Sequence, residues 1–423
     1  MNMIKTPVNG MKDIEPREME IRQYILSKIR EVYARFGFTE IETPNIEHID
    51  NLLSDQGWDN EKLIFKILKR GEKLDKAFEA GNMNELVDSG LRYDLTVPLC
   101  RFYSNNKDRL TMPFKAMQIG NVYRADRPQK GRFRQFCQCD IDILGEATNL
   151  GEIETLLATS TLLKEIGFDK YNFSFDINDR RILKAMAKYC GFPEEQYDEV
   201  FIALDKLDKI GIDGVKQCLL ELGLVKDGIE KYCKAFESYQ EESSCFGFIN
   251  TNFNGAVENE IVNNLEDILK VTSKTIAGKG KVVFDPSLVR GMSYYTGPIF
   301  EVELNSYHLS IGGGGRYDEM IGKYSGNNVC ACGFSLGFER LIEIVKENNL
   351  ARINNGTSTA ILIAKDVPYD KVENAMLYAN KLRDNGERVL IAPRNKNAKF
   401  QKETLESLGY TKFVEVYADS QNF

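Results

Sequence analysis

The chain has 423 residues, 43% of them hydrophobic and 28% charged, with a formal net charge of −8. That length accommodates two or three domains with large cores, and the acidic balance excludes a broad nucleic-acid-coating surface while allowing local basic patches. No stretch approaches a membrane span, and the N-terminus lacks a basic segment followed by an apolar run, so a soluble cytoplasmic protein is expected. Nine cysteines, an odd number without a disulfide spacing, fit a reducing compartment. The pairs Cys137/Cys139 and Cys330/Cys332 fall on apolar faces of predicted strands with no histidine near them, so buried thiols are expected and no metal site. With only His48 and His308 present, a histidine-based catalytic relay is not expected. No GxxxxGK[ST] occurs, so any use of ATP would not involve a P-loop.

Residues 17–36 place Ile21, Tyr24, Ile25, Ile29, Val32, Tyr33 and Phe36 on one face at helical spacing. Gly37 ends this predicted helix, and Phe38–Thr43 continues as a strand stopped by Pro44. By pattern the helix packs either on its own subunit or on a second copy. Residues 59–88 are charged with little periodicity and read as a surface excursion. In LRYDLTVPLCRFY (91–103), Asp94 and Thr96 stand two apart and would project together from an extended segment. A carboxylate beside a hydroxyl can cradle an ammonium group. Asp-x-Thr ahead of a proline is equally ordinary helix capping.

The stretch GNVYRADRPQKGRFRQFCQCDIDILG (120–145) predicts a strand, a basic loop and a returning strand. Alternation puts Cys137, Cys139, Ile141 and Ile143 on an apolar face and Gln138, Asp140 and Asp142 on the other. A row of polar groups on such a strand needs partners, and a polar ligand is the least costly one. The loop carries Arg124, Arg127, Lys130, Arg132 and Arg134 against the single acid Asp126. Guanidinium forks held at the mouth of a sheet suit phosphate oxygens; the alternative is a solvated basic hairpin.

Gly151–Ile166 has helical periodicity, and Tyr171–Ile177 alternates as a strand. NDRRILKAM then predicts a helix capped by Asn178 or Asp179, and residues 180–275 read as mostly helical without a catalytic signature. Strand signals return at Lys281–Phe284. LVRGMSYYTG (288–297) sets Arg290 among apolar residues, where burial without an anion is costly. Beside it, Tyr294 and Tyr295 suit either a planar polar ring or the core. The glycines 312–315 open RYDEMIGKYSG and could merely form a tight turn. In VCACGFSLGFER (329–340), Ala331, Gly333, Ser335 and Gly337 share a face nearly stripped of side chains, room for a flat adenine-sized group. Glu339-Arg340 then opens an apolar helix, which places a guanidinium at its positive terminus.

ENNLARINNGTS (347–358) is a polar linker. Beyond it a strand at 359–364, helix at 369–384, strand at 388–392, helix at 398–408 and strand at 412–417 predict a small parallel α/β domain. Arg388, Arg394, Lys396, Lys399 and Lys402 form a basic patch with no acid between Val389 and Lys402.

The 120–145 hairpin resembles motif 2 of the class II aminoacyl-tRNA synthetases, in the form found in histidyl-tRNA synthetases. GLRYDLTVPL (90–99), LVRGMSYYTG (288–297), GGGRYD (313–318) and GFSLGFERL (333–341) resemble that family in the same order, and the helix–strand–proline start resembles motif 1. The resemblance implies an α+β catalytic domain built on an antiparallel sheet (1–346), interrupted by a helical insertion (180–275). A linker (347–358) and a shortened anticodon-binding-like α/β domain (359–423) follow. It implies an ATP-dependent ligase that activates histidine to histidyl-adenylate and transfers it to tRNA(His). It also implies a homodimer, with Mg²⁺ carried on the phosphates of ATP. By the same resemblance, Arg124, Arg290 and Arg340 carry catalysis. Arg124 grips the α-phosphate and Arg340 the terminal phosphate, with Asp126 and Phe136 at the adenine. Asp94, Thr96 and Gln138 hold the ammonium end of histidine, and Asp142, Tyr294 and Tyr295 enclose its imidazole.

Two positions depart from the family pattern. Asp126 stands where class II enzymes usually carry Glu, and Ser293 where this family commonly carries Asp before the tyrosine pair. Ser293 and the shortened tail point toward a runner-up, the histidine-binding regulatory paralogue of ATP phosphoribosyltransferase. The presence of both Arg124 and Arg340 favours the enzyme. IALDKLDKIGIDGV (202–215) resembles part of the eukaryote-type insertion, implying acceptor-stem contact; a purely structural insertion is the alternative.

Overall fold

The computed structural model describes residues 3–53, 62–81, 83–128, 131–239, 244–276, 278, 280–290, 294–351 and 356–420. They form two compact units, Met1–Asp13 with Ile25–Leu350, and Ile14–Tyr24 with Ala351–Phe423. The strands of the first unit are β1 (Thr39–Ile41), β2 (Ile46–His48), β3 (Lys66–Leu68), β4 (Val87–Leu91), β5 (Phe114–Tyr123), β6 (Gln135–Leu144), β7 (Phe173–Asp179), β8 (Lys281–Phe284), β9 (Pro298–Leu304), β10 (Leu309–Arg316) and β11 (Ala331–Gly337). Eight of them make one sheet in the order β1-β5-β6-β11-β10-β9-β7-β8. It is antiparallel except at its edges, where β1 and β8 run parallel to their neighbours. β2, β4 and β3 form a separate small antiparallel sheet. The charged stretch read as a surface excursion thus supplies β3, the helix Glu72–Glu79 and the start of β4. A three-residue strand carries too little alternation to stand out in sequence.

Register explains the glycine run. Gly312–Gly315 lie inside β10, and no tight turn forms there. Gly314 pairs with Phe334 on one side and Phe300 on the other, and those rings stack at 6.2 Å on the core face. Gly313 and Gly315 look the other way. One row across the sheet reads Gln118, Asp140, Ser335, Gly313, Glu301 and Asp176. The next reads Ala116, Asp142, Gly333, Gly315 and Ile299. Four glycines in succession therefore clear both faces: the core face for phenylalanines, the other for polar chemistry. On the core side Cys137, Cys139, Ile141 and Ile143 are buried as alternation predicts. The helix Leu150–Ile166 lies on that side, with Gly151 packed over Cys332.

The helix Arg180–Tyr189 starts at an N-cap, Asp179, whose carboxylate accepts from Arg181 N–H at 2.9 Å. Further helices follow to Asn259–Thr275. The second unit is a parallel sheet of β12 (Ser358–Ile363), β13 (Arg388–Pro393) and β14 (Lys412–Val416), ordered β13-β12-β14. Its basic patch is partly countered by Glu415 on β14, which pairs with Arg394 and with Lys402, the latter at 2.5 Å. No helix among the described residues is long and apolar enough to cross a membrane.

Candidate active site

The glycine-bare face of the large sheet collects most of the predicted site residues, and burial decides their electrostatics. Asp94 lies ahead of the helix Thr96–Asn106, in a turn and not in an extended segment. Its Oδ1 accepts from Val97 N–H at 3.2 Å, which is a capping bond, while its buried Oδ2 has no partner. Burial raises the Asp94 carboxyl to about 6, against the lowering effects of its backbone bond and of Arg124. Gln138 donates from Nε2 to Ser335 Oγ at 2.6 Å and keeps its buried Oε1 unpartnered. Thr96 is buried beside them and hydrogen-bonded to the Tyr294 hydroxyl.

Asp142 accepts from the Tyr317 hydroxyl at 2.5 Å. Burial raises its carboxyl to about 7, the Tyr317 bond pulls down, and Asp94 pushes up. The Tyr294 and Tyr295 rings lie 4.8 Å apart, and Tyr317 meets Tyr294 edge-on at 5.9 Å. Three aromatic rings thus stand around one carboxylate, a suitable enclosure for a polar heterocycle.

The arginines arrive from three directions. Arg124 donates from Nε to the Tyr93 carbonyl at 3.0 Å and covers the Phe136 ring at 5.2 Å. Its charge reaches both Asp94 and Asp140. Arg290 lies over Gly313, where an added Cβ would fall 2.6 Å from its Cζ. The stripped face is therefore filled here by the chain's own guanidinium, and above Gly315 by Tyr295. Arg290 is ion-paired with Glu301, and its buried Nε is unpartnered. Arg340, near the start of the helix Phe338–Glu347, donates to the Ser310 carbonyl at 2.7 Å. Burial lowers its pKa; Glu301 raises it, and Arg132 and Arg290 lower it. Arg290 and Asp140 both act on Tyr295, Arg124 acts on Asp140, and Arg290 acts on Arg340. Asp126 stands apart, with its carboxylate facing Arg132 at 3.4 Å. Lys130 and Ser293 lie outside the described residues.

Four residues of the face escaped the sequence reading as site residues: Asp140, Ser335, Tyr317 and Glu301. Asp140 is buried with its Oδ1 unpartnered, and burial, then Asp142, pushes its carboxyl well up. Its place on the polar side of β6 was the available signal. Nothing local marks Tyr317 or Glu301, because their partners come from other elements, Asp142 from β6 and Arg290 from the segment between β8 and β9.

The sequence profile described as histidyl-tRNA synthetase matches residues 10–341. The histidine–tRNA ligase of Leifsonia xyli subsp. xyli is 39% identical over 98% of this chain and 96% of its own length. The probable histidine–tRNA ligase of Tropheryma whipplei (strain Twist) is 43% identical over 81% of this chain and 80% of its own. The crystal structure of histidyl-tRNA synthetase from Nostoc sp. PCC 7120 superposes with TM-score 0.76 at 23% identity, over 96% of this chain and 90% of that one. A Bacillus halodurans C structure, described as an ATP phosphoribosyltransferase regulatory subunit/histidyl-tRNA synthetase, superposes at 0.75 and 22% identity, over 98% and 99%. At those identities the structures speak to the fold, which is shared. On the matched span and the identity to its relatives, the chain belongs to the histidyl-tRNA synthetase family.

Proposed function

We propose that histidine and ATP meet on the glycine-floored polar face. The chain is an ATP-dependent histidine–tRNA ligase, as its family is. In the first step the histidine carboxylate attacks the α-phosphorus of ATP, pyrophosphate leaves, and histidyl-adenylate forms. In the second, a ribose hydroxyl at the 3′ end of tRNA(His) attacks the acyl carbon and AMP leaves.

One observation carries this assignment of the site: Asp94 Oδ2, Gln138 Oε1 and Asp140 Oδ1 are buried acceptors without partners. Leaving such atoms unmade costs about 1–3 kcal/mol each. An ammonium group offers three donors and no acceptor, which suits them. With the ammonium there, the imidazole falls to Asp142, Tyr294 and Tyr295, and the carboxylate faces the arginines. Negative charge gathers on the α-phosphate in the transition state, so prepositioned cations lower the barrier. Arg124 takes the α-phosphate, Arg290 the developing charge on it, and Arg340 the terminal phosphate, with Phe136 against the adenine and Asp126 near it. Among the described residues no three His, Cys, Asp or Glu groups could hold a metal ion together. Mg²⁺ carried on the phosphates of ATP would neutralise charge on the leaving pyrophosphate.

A homodimer formed through the N-terminal helix and a cytoplasmic location complete the reading. Sedimentation of the purified chain checks the first of these. Histidine-dependent ATP–pyrophosphate exchange tests the activity. Absence of exchange with every amino acid, alongside measurable histidine binding, would return the regulatory paralogue as the better reading.

A further inference from the structure

The segment Val8–Asp13 plays no part in the chemistry described so far, yet its bonds run straight to an arginine that does. Val8 C=O accepts Met11 N–H at 2.9 Å, closing a turn with Gly10 at its third position and φ +83°. Gly10 C=O accepts Arg134 N–H at 2.7 Å, and Arg134 C=O in turn accepts Arg124 N–H at 2.9 Å. The Arg134 guanidinium ties the same loop together, donating from Nε to Asp126 C=O at 3.1 Å and from Nη1 to Asn9 C=O at 3.4 Å. A Cβ at Gly10 would stand 2.8 Å from both Arg134 Cγ and Pro128 Cγ, so glycine is required by space as well as by φ.

Lys12 fastens the other end. Its ammonium lies 4.6 Å from the centre of the Phe133 ring and 3.7 Å from Glu339 Oε2. Glu339 Oε1 accepts Cys137 N–H at 3.3 Å, next to Phe136 and one residue before Arg340.

We propose that Val8–Lys12 is a strap that sets the register of the ATP-binding loop, with Gly10 and Lys12 as positioning residues acting through Arg134 and Glu339 on Arg124. It rests on the reading of Arg124 as a phosphate ligand. The strap touches no group assigned to histidine, so its loss should be felt by ATP alone.

The test is pyrophosphate exchange on the full chain, with KM for ATP and for histidine measured separately on Gly10→Ala, Lys12→Met and Arg124→Lys. A displaced cationic group costs on the order of 10²-fold at the extreme. Gly10→Ala is expected to lower kcat/KM for ATP about 10-fold and Lys12→Met about 3-fold, a part of that limit. Histidine KM and the melting temperature should stay near those of the parent. In the Arg124→Lys background Gly10→Ala should add little, because both act on one contact. ATP and histidine parameters that stay unchanged in both strap variants would overturn the proposal, as would a loss in both that tracks a lower melting temperature. If Arg124→Lys leaves exchange unaltered, the reading of Arg124 fails instead, and the strap variants report that separately.

Discussion

Two arginines packed on the same sheet, Arg316 buried and Arg290 partly exposed, make opposite use of their charge. Arg316, at the end of β10, spends every donor: Nε and Nη2 grip Glu152 at 2.6 and 2.8 Å, Nη1 reaches Glu146 C=O at 3.2 Å and Asp318 at 3.3 Å, and Nη2 also meets Thr148 C=O at 2.7 Å. Arg290, lying over Gly313 of the same strand, has Glu301 and a buried Nε with nothing to bond. Around Arg316 the polar atoms close on one another. Around Arg290 they stop short, and Asp94, Gln138 and Asp140 share that incompleteness. A saturated buried charge is architecture; polar atoms left unsaturated across one face of a sheet are the kind a ligand can complete.

The largest effect should therefore be on folding, at Arg316. Arg316→Ala leaves Glu152 buried and uncompensated, and is expected to cost about 3–5 kcal/mol of stability, read as a lowered denaturation midpoint. Arg290→Ala should behave in the reverse way. Stability should move by less than about 1 kcal/mol, as for a partly exposed pair, while histidine-dependent exchange falls by about 10²–10³-fold. A stable Arg316→Ala protein, or an Arg290→Ala protein with normal exchange, would break the contrast. Gly313→Ala comes next, since its Cβ would stand 2.6 Å from Arg290 Cζ. About 10- to 100-fold of exchange should be lost through that displacement. An unaffected rate would mean Arg290 leaves Gly313 before reaction.

Local pattern carried much of this. The alternation of β6 fixed which side of the sheet is polar, and the helices 150–166 and 338–347 follow from their apolar spacing and end signals. What stayed hidden is long-range. Asp142 finds Tyr317 from 175 residues away, and Glu301 of β9 finds Arg290 in the segment that lies over Gly313 of β10. A turn is the commonest local reason for a run of glycines, so sequence alone left the run open; only pairing with Phe300 and Phe334 shows why a strand needs four. Asp94 and Thr96 looked extended and side by side, yet the helix begins at Thr96, and the cap and the ligand reading turn out to use different oxygens of one carboxylate.

Smaller effects sharpen the contrast within the histidine pocket. Tyr317→Phe removes a bond to a carboxylate, worth about 1.5–3 kcal/mol, and should raise histidine KM about 10-fold while ATP KM stays put. The hydroxyl holds the Asp142 carboxyl down, so its loss should also move the pH at which histidine binding fails upward from about 7. A KM change without that movement would assign Tyr317 to packing alone.

The least perturbing experiment is titration of the unaltered protein. Asp94 at about 6 and Asp142 at about 7 both lie above the ordinary carboxylate range, raised by burial. From about pH 4 to those values the folded chain holds more protons than the unfolded chain, so these groups make stability fall as pH rises through that window. A bound ammonium reverses the preference at Asp94, and an imidazole N–H does so at Asp142, so histidine should bind more weakly as pH drops through 7 toward 6. The same linkage requires proton release on binding near neutral pH, visible as a difference in binding heat between two buffers of unlike ionisation enthalpy. Asp142→Asn should reduce that release. Binding with no proton exchange would mean that the unpartnered acceptors are already charged without a cation, and the distinction drawn between Arg290 and Arg316 would then lose its electrostatic basis.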